Sequence, residues 1–240
     1  MSLLTINPSV ASERKTPVLI VDSHAVFRLG LQHILNESND FACVGEAGGY
    51  NEAIKAVRTF SPEVAIVDIS LDERSGLDLV QALSREFPDL RVLVFAMHDE
   101  TIYAEHAIRA GAAGYLMKGA SPEELVRALR QARDGEIAVS DRMARRFLAG
   151  FVGRNKGDAA TPMSRLSARE LEVLELIGRG MSTRRIAEML YISIKTVETH
   201  RARIKQKLQL DSALDLVRVA TQWMLGRPGE SLTGVSATTN

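Results

Sequence analysis

One cysteine, one tryptophan and an aromatic share of 5% leave several chemistries little material in this 240-residue chain. A lone Cys43 excludes a disulfide framework within the chain. It lies in the apolar stretch Phe41-Ala42-Cys43-Val44, which predicts a buried thiol rather than a nucleophile or a ligand. No apolar run approaches the ~20 residues that a membrane-spanning helix needs. The first fifteen residues lack the charged-then-apolar order of a secretory signal, so a cytoplasmic location with no membrane partner is expected. The five histidines show no metal-ligand spacing and no G-x-G-x-x-G follows the first apolar run. With no nucleophile-and-base constellation either, the chain is not expected to be an enzyme.

Net charge is also lacking, but the zero hides an asymmetry. Residues 16–135 hold 11 Lys and Arg against 18 Asp and Glu, whereas residues 165–228 hold 12 against 7. An acidic half joined to a basic half suits one regulatory domain and one that meets nucleic acid. Hydrophobic content of 45% and charged content of 25% are those of a soluble globular chain long enough for two domains.

The basic half predicts three short helices over 166–210. Ser167 followed by Glu170 forms a capping box, and Leu171, Leu174 and Ile177 follow at helical spacing until Gly178 and Gly180 close the helix. A second helix starts near Ser182 with Ile186, Met189 and Leu190 inward, and a third starts after Ser193. On that third helix Val197, Ile204 and Leu208 share one face at about 100° per residue. The opposite face carries Lys195, Glu198, Thr199, Ala202 and Gln206, flanked by Arg201, Arg203, Lys205 and Lys207. An apolar anchor with short polar residues between basic flanks suits the DNA major groove, where Arg and Lys neutralise phosphates while Glu and Thr read base edges. A salt-bridged, solvated helix face is the bland alternative. The pattern L-S-x-R-E-x-E-V-L, I-A, T-V-E-T-H-R and K-L resembles the LuxR-type helix-turn-helix domain over 166–210. The resemblance implies double-stranded DNA as partner, with Lys195, Thr196, Glu198, Thr199, Arg201, Arg203 and Lys205 as contact residues, and a homodimer.

The acidic half alternates short β-branched runs with amphipathic stretches. The runs fall at 18–21, 41–44, 64–67, 92–95 and 113–117, with helices around 27–35, 52–60, 77–87, 103–110 and 122–133. Five strand-then-helix units predict an α/β fold, a doubly wound five-stranded parallel sheet. Its working site belongs beyond the strand carboxyl ends, where Asp22, Asp68, Ala96 and Lys118 fall. Two carboxylates and a lysine suit a divalent cation and a phosphoryl group; strand-end charges facing water are the alternative.

The landmarks Val21-Asp22, Phe27-Arg28, Val67-Asp68, Ser75-Gly76-Leu77, Met97-His98-Asp99 and Gly114-Tyr115-Leu116-Met117-Lys118 resemble the flavodoxin-like receiver domain of response regulators. Joined to the LuxR-type module, the chain resembles the NarL/FixJ family. The resemblance implies Asp68 as phosphoacceptor, Lys118 as its counter-ion, Tyr115 as an aromatic that changes rotamer on activation, Mg²⁺ at Asp22 and Asp68, and a sensor kinase or other partner at the receiver. Three positions depart from the family pattern. Ser23 stands where the family has a second acidic residue, Ala96 where it has a hydroxyl residue, and Asp72 where a proline is common. Losing a carboxylate weakens Mg²⁺, and a methyl group makes no hydrogen bond to a phosphoryl oxygen. The expectation is a DNA-binding regulator in which phosphorylation is absent or poorly transmitted. The alternatives are a conventionally Asp68-phosphorylated regulator, an adaptor that uses the receiver surface and, less favoured, a phosphate sink.

The expected organisation is a disordered leader (1–15), a receiver (16–135), a linker with a short helix at 143–151 (136–164), a DNA-binding domain (165–226) and a disordered tail (227–240).

Overall fold

The computed structural model describes residues 15–71, 75–151 and 162–225. The leader and tail expected at the two ends, the core of the linker at 152–161 and Asp72 lie outside the described residues, apart from residues at their margins.

Five strands, β1 (Thr16–Val21), β2 (Phe41–Ala47), β3 (Val64–Val67), β4 (Arg91–Ala96) and β5 (Gly114–Met117), form one parallel sheet in the order β2-β1-β3-β4-β5. Helices α1 (Ala25–Glu37), α2 (Tyr50–Phe60), α3 (Gly76–Glu86), α4 (Glu100–Arg109) and α5 (Pro122–Arg133) connect the strands and follow the last. The strand order reverses direction at β1 and β3, so their carboxyl ends open a crevice. Val18 to Val21 and Val64 to Val67 are buried throughout, as continuous apolar runs must be when helices cover both sheet faces. Leu31, Leu35, Leu125 and Leu129 pack on one face, and Leu79, Leu83, Tyr103 and Ala107 on the other.

Local signals set several helix ends. Ser121 and Glu124 form a reciprocal capping box with Pro122 at the first helical position. Gly114 lies against the next segment: a Cβ there would fall 2.4 Å from the Ala138 carbonyl, and a bridge joins the two residues. Chain beyond β5 therefore stays with the sheet. Helix α6 (Asp141–Phe151) docks on α4, with Met143 fully buried and Arg146 donating to the Thr101 carbonyl at 2.9 Å. Its inward face is Met143 and Phe147, four residues apart, whereas Leu148 is 64% exposed.

The second half comprises a 3-10 turn (Pro162–Arg165) and α7 (Ala168–Gly178), α8 (Thr183–Met189), α9 (Ile194–Leu208) and α10 (Ala213–Met224). The Ser167–Glu170 capping box is present, and the Ser182 and Ser193 hydroxyls accept from the Arg185 and Thr196 amides. Ile186 is buried but Met189 is exposed, so the second helix turns Ile186 and Ala187 inward rather than Met189. Cys43 is half-buried, its Sγ donating to the Gly45 carbonyl at 3.4 Å, and burial first of all raises its pKa.

Candidate functional site

Two sites emerge, one at the strand ends and one on α9. At the strand ends, the Asp68 amide donates to the Val21 carbonyl at 2.9 Å, which sets Asp22 and Asp68 side by side. Gly76 holds the start of α3 against them: a Cβ there would fall 2.0 Å from the Asp68 carbonyl oxygen. Lys118 reaches in from the end of β5, fixed by its amide bond to the Ala96 carbonyl at 2.8 Å. Its ammonium lies 2.6 Å from Asp22 Oδ2 and 2.8 Å from Asp68 Oδ2, and the side chain is 1% exposed. The Phe27 ring covers it at 4.2 Å, a cation–π contact.

The other oxygen of each carboxylate is also engaged. Asp22 Oδ1 accepts from the His24 amide at 2.8 Å and lies 3.3 Å from His24 Nδ1; Asp68 Oδ1 accepts from the Ser70 amide at 3.2 Å. Arg28 bonds the Asp22 carbonyl at 2.7 Å and pairs with Glu46. Ser23 turns its hydroxyl to the Ser70 carbonyl at 3.2 Å. Ala96 is wholly buried and presents only a methyl group. Tyr115 points inward, 1% exposed, and donates to the His98 carbonyl at 2.9 Å; burial, then the charge of Asp68, pushes its hydroxyl pKa far up.

The ligand atoms of Asp22, His24 and Asp68 lie within 4.8 Å of one another, so the crevice offers two carboxylates and an imidazole to a cation. His24 occupies the N-cap position of α1, as a helix-start residue would, and joins this group only because α1 begins beside Asp22. Mg²⁺ takes oxygen ligands. Asp22 and Asp68 would supply two carboxylates to such an ion, with Lys118 competing for their Oδ2 atoms.

On α9 the buried residues are Val197, Ile204 and Leu208. Lys195, Glu198, Thr199, Ala202, Arg203 and Gln206 are exposed, while Thr196, Arg201 and Lys205 are half-buried. Helix α8 packs beside α9 across a turn in which Tyr191 takes φ +51°, leaving that polar face outward. Lys195, Arg203 and Lys205 form no ion pair among the described residues. Arg201 lies 3.7 Å from Glu198 Oε2 and donates to the Thr183 hydroxyl at 3.5 Å, and that hydroxyl in turn donates to Glu198 Oε1 at 3.0 Å. Thr196 Oγ1 meets the Ser193 hydroxyl at 2.8 Å, and Thr199 donates to the Lys195 carbonyl. Lys207 pairs with Glu170 at 2.7 Å, tying α9 to α7 instead of facing outward. Glu170 is held below its usual range despite its burial, by Lys207 and Ser167. Burial, then Arg169, pushes the His200 pKa down, and its Nδ1 is buried without a partner.

Two family models match the chain: "Response regulator receiver domain" over residues 18–130 and "Bacterial regulatory proteins, luxR family" over residues 164–220. The oxygen regulatory protein NreC of Staphylococcus carnosus is 38% identical over 207 residues, covering 85% of this chain and 95% of that protein. NreC of Staphylococcus aureus matches over the same span at the same identity. Among solved structures, RcsB of Salmonella enterica serovar Typhimurium bound to promoter rprA in the presence of the phosphomimetic BeF3- superposes with a TM-score of 0.62 at 25% identity. That match covers 87% of this chain and 99% of RcsB. RcsB bound to promoter P1flhDC gives 0.63 at the same identity.

Proposed function

The chain belongs to the NarL/FixJ family of response regulators, a receiver domain joined to a LuxR-type DNA-binding domain, and from that premise we propose that it reads DNA through α9 with little help from phosphorylation. The reading helix lies in the major groove. Glu198 and Thr199 contact base edges; Lys195, Arg201, Arg203 and Lys205, with Thr196 at the helix start, hold phosphates. A homodimer sets two such helices about one helical turn apart on a pseudo-palindromic site.

The observation that carries the DNA reading is the set of cations on α9, Lys195, Arg203 and Lys205, without an ion pair among the described residues, on a helix whose buried side is Val197, Ile204 and Leu208. A helix face meant only for solvent gains from pairing its charges along the helix, as Arg184 and Arg185 do with Glu188 on α8. The test is an affinity series on duplexes selected from a random pool. Arg203→Ala should weaken all sequences alike and reduce the salt slope by about one. Glu198→Ala should cost about 1–3 kcal/mol on the preferred duplex and much less on its variants at one base pair. Equal losses for Glu198→Ala on every duplex would remove it from base reading.

Three features support weak phosphorylation control. Ser23 supplies a hydroxyl turned to backbone where a carboxylate is needed for Mg²⁺. Ala96 cannot bond a phosphoryl oxygen, which forfeits about 1.5–3 kcal/mol of charge-assisted bonding. Lys118 already bridges one oxygen of Asp22 and one of Asp68, leaving the trio a single formal negative charge. A ligand shifts two states only by its differential binding, so a phosphoryl group here has little leverage. Conventional phosphorylation of Asp68 has one observation on its side, the intact Asp68–Lys118 pair at 2.8 Å.

A further inference from the structure

The two halves of the chain meet along α4 and α7, and the centre of that contact is polar. Glu175 on α7 is buried; its Oε2 accepts from the Tyr103 hydroxyl at 2.8 Å and lies 3.5 Å from His98 Nε2. Its other oxygen accepts from Arg179 on its own helix. The His98 and Tyr103 rings pack against each other with centroids 4.7 Å apart. One turn along α4, His106 Nε2 lies 2.8 Å from the Leu166 carbonyl. Glu172 and Ser75, the N-cap of α3, line the same cleft between the halves. Around these bonds the apolar core on one face of the sheet runs without a break into the core of α7, α9 and α10.

Part of this junction sits close to the strand-end crevice. His98 is two residues beyond Ala96, and Ser75 lies against Gly76, which touches the Asp68 backbone. Tyr115 holds the His98 carbonyl from beneath while the His98 ring faces Glu175. A buried carboxylate is tolerated only while its donors are in place, so Glu175 registers where the segment 97–99 stands.

We propose that α7 docks into the receiver through Glu175, and that the Tyr115–His98 bond keys this docking to the state of the crevice. The route needs neither a hydroxyl at position 96 nor a phosphoryl group. The docked arrangement leaves the outer face of α9 exposed, so the junction orients the reading helix without covering it. A partner of the α4 face has to compete with α7 of the same chain. None of this depends on DNA being the ligand of α9, so the junction and the DNA reading can fail separately.

The chain carries its own reporter. Trp223, the single tryptophan, lines the cleft of about 1010 Å³ between the halves, together with His98, Tyr103 and Arg146. The experiment records Trp223 emission and its quenching by iodide in the full chain, for the parent and for Tyr103→Phe, Glu175→Gln and Tyr115→Phe. Far-UV circular dichroism and thermal melting of each variant check that both halves stay folded. The expected result is a red shift and stronger quenching in all three folded variants, including Tyr115→Phe, whose hydroxyl reaches the junction only through His98. Parent-like emission and quenching in folded Tyr103→Phe and Glu175→Gln would overturn docking through Glu175. A silent Tyr115→Phe beside two responsive variants would overturn the link to the crevice.

Discussion

The strand-end crevice and the outer face of α9 both gather charge, and they dispose of it in opposite ways. In the crevice two buried carboxylates share one buried ammonium, and backbone amides take up further lone pairs. On α9, Lys195, Arg203 and Lys205 are left without an ion pair among the described residues. A site whose two carboxylates are already bridged by an internal ammonium gains less from an incoming cation than an open pair would. A face with unpaired cations gains from a polyanion, through release of its counterions. The contrast assigns polyanion binding to the second half and leaves regulation to the first.

The largest expected effect breaks the internally bridged side. Lys118→Met leaves Asp22 and Asp68 buried together without their cation, and breaking a buried pair in this way costs about 3–5 kcal/mol. Urea unfolding followed by circular dichroism should show the receiver transition at lower denaturant, with the DNA-binding half little changed. A small shift would mean that water reaches the carboxylates and that the crevice is looser than its burial indicates.

Restoring the departures sharpens the comparison from the other direction. Ser23→Asp with Ala96→Ser returns a carboxylate and a hydroxyl while adding little volume in the core. Regaining a charge-assisted bond of about 1.5–3 kcal/mol should increase the response of DNA affinity to a small phosphodonor about tenfold or more over the parent. No gain would place the block elsewhere, with the Lys118 arrangement as the next suspect.

The smallest effect concerns His200, at the edge of the buried face of α9. Burial, then Arg169 and Arg203, hold its pKa below the usual value. The unfolded chain therefore binds the proton more readily, so stability rises with pH in this window. The contribution is fully present above the unfolded value of about 6.5 and is lost as pH falls below it. His200→Gln should flatten that acid loss in melts of the DNA-binding half between neutral pH and mildly acidic pH.

Local patterns carried most of the fold and part of the sites. The alternation of β-branched runs with amphipathic stretches marked all five strands and their helices, because burial on both faces writes itself into short windows of sequence. Capping chemistry placed the starts of α5, α7, α8 and α9. The spacing of Val197, Ile204 and Leu208 gave the orientation of α9 directly. The box formed by Ser212 and Asp215 at the start of α10 follows the same rule with a shorter acid, and a search for Glu or Gln passes over it.

What stayed hidden depends on contacts between distant segments. Tyr103 and Glu175 are 72 positions apart, and neither breaks the apolar period of its helix in a way that announces a partner. Met143 reads as one apolar residue in a polar stretch until Gly114 brings Ala138 onto the sheet edge and carries α6 with it. His24, by contrast, borders the crevice as its place two residues after Asp22 indicates. The convergence of Asp22, Asp68 and Lys118 was legible from the strand ends; the added detail is that one ammonium bridges both carboxylates.

The most direct test of the account is the affinity of the full chain for its preferred duplex, measured with and without a small phosphodonor, for the parent and for Asp68→Asn. The account predicts tight, salt-dependent binding in all four measurements, with the donor changing little. Weak binding that rises steeply only when the parent meets the donor, and never in Asp68→Asn, would contradict it.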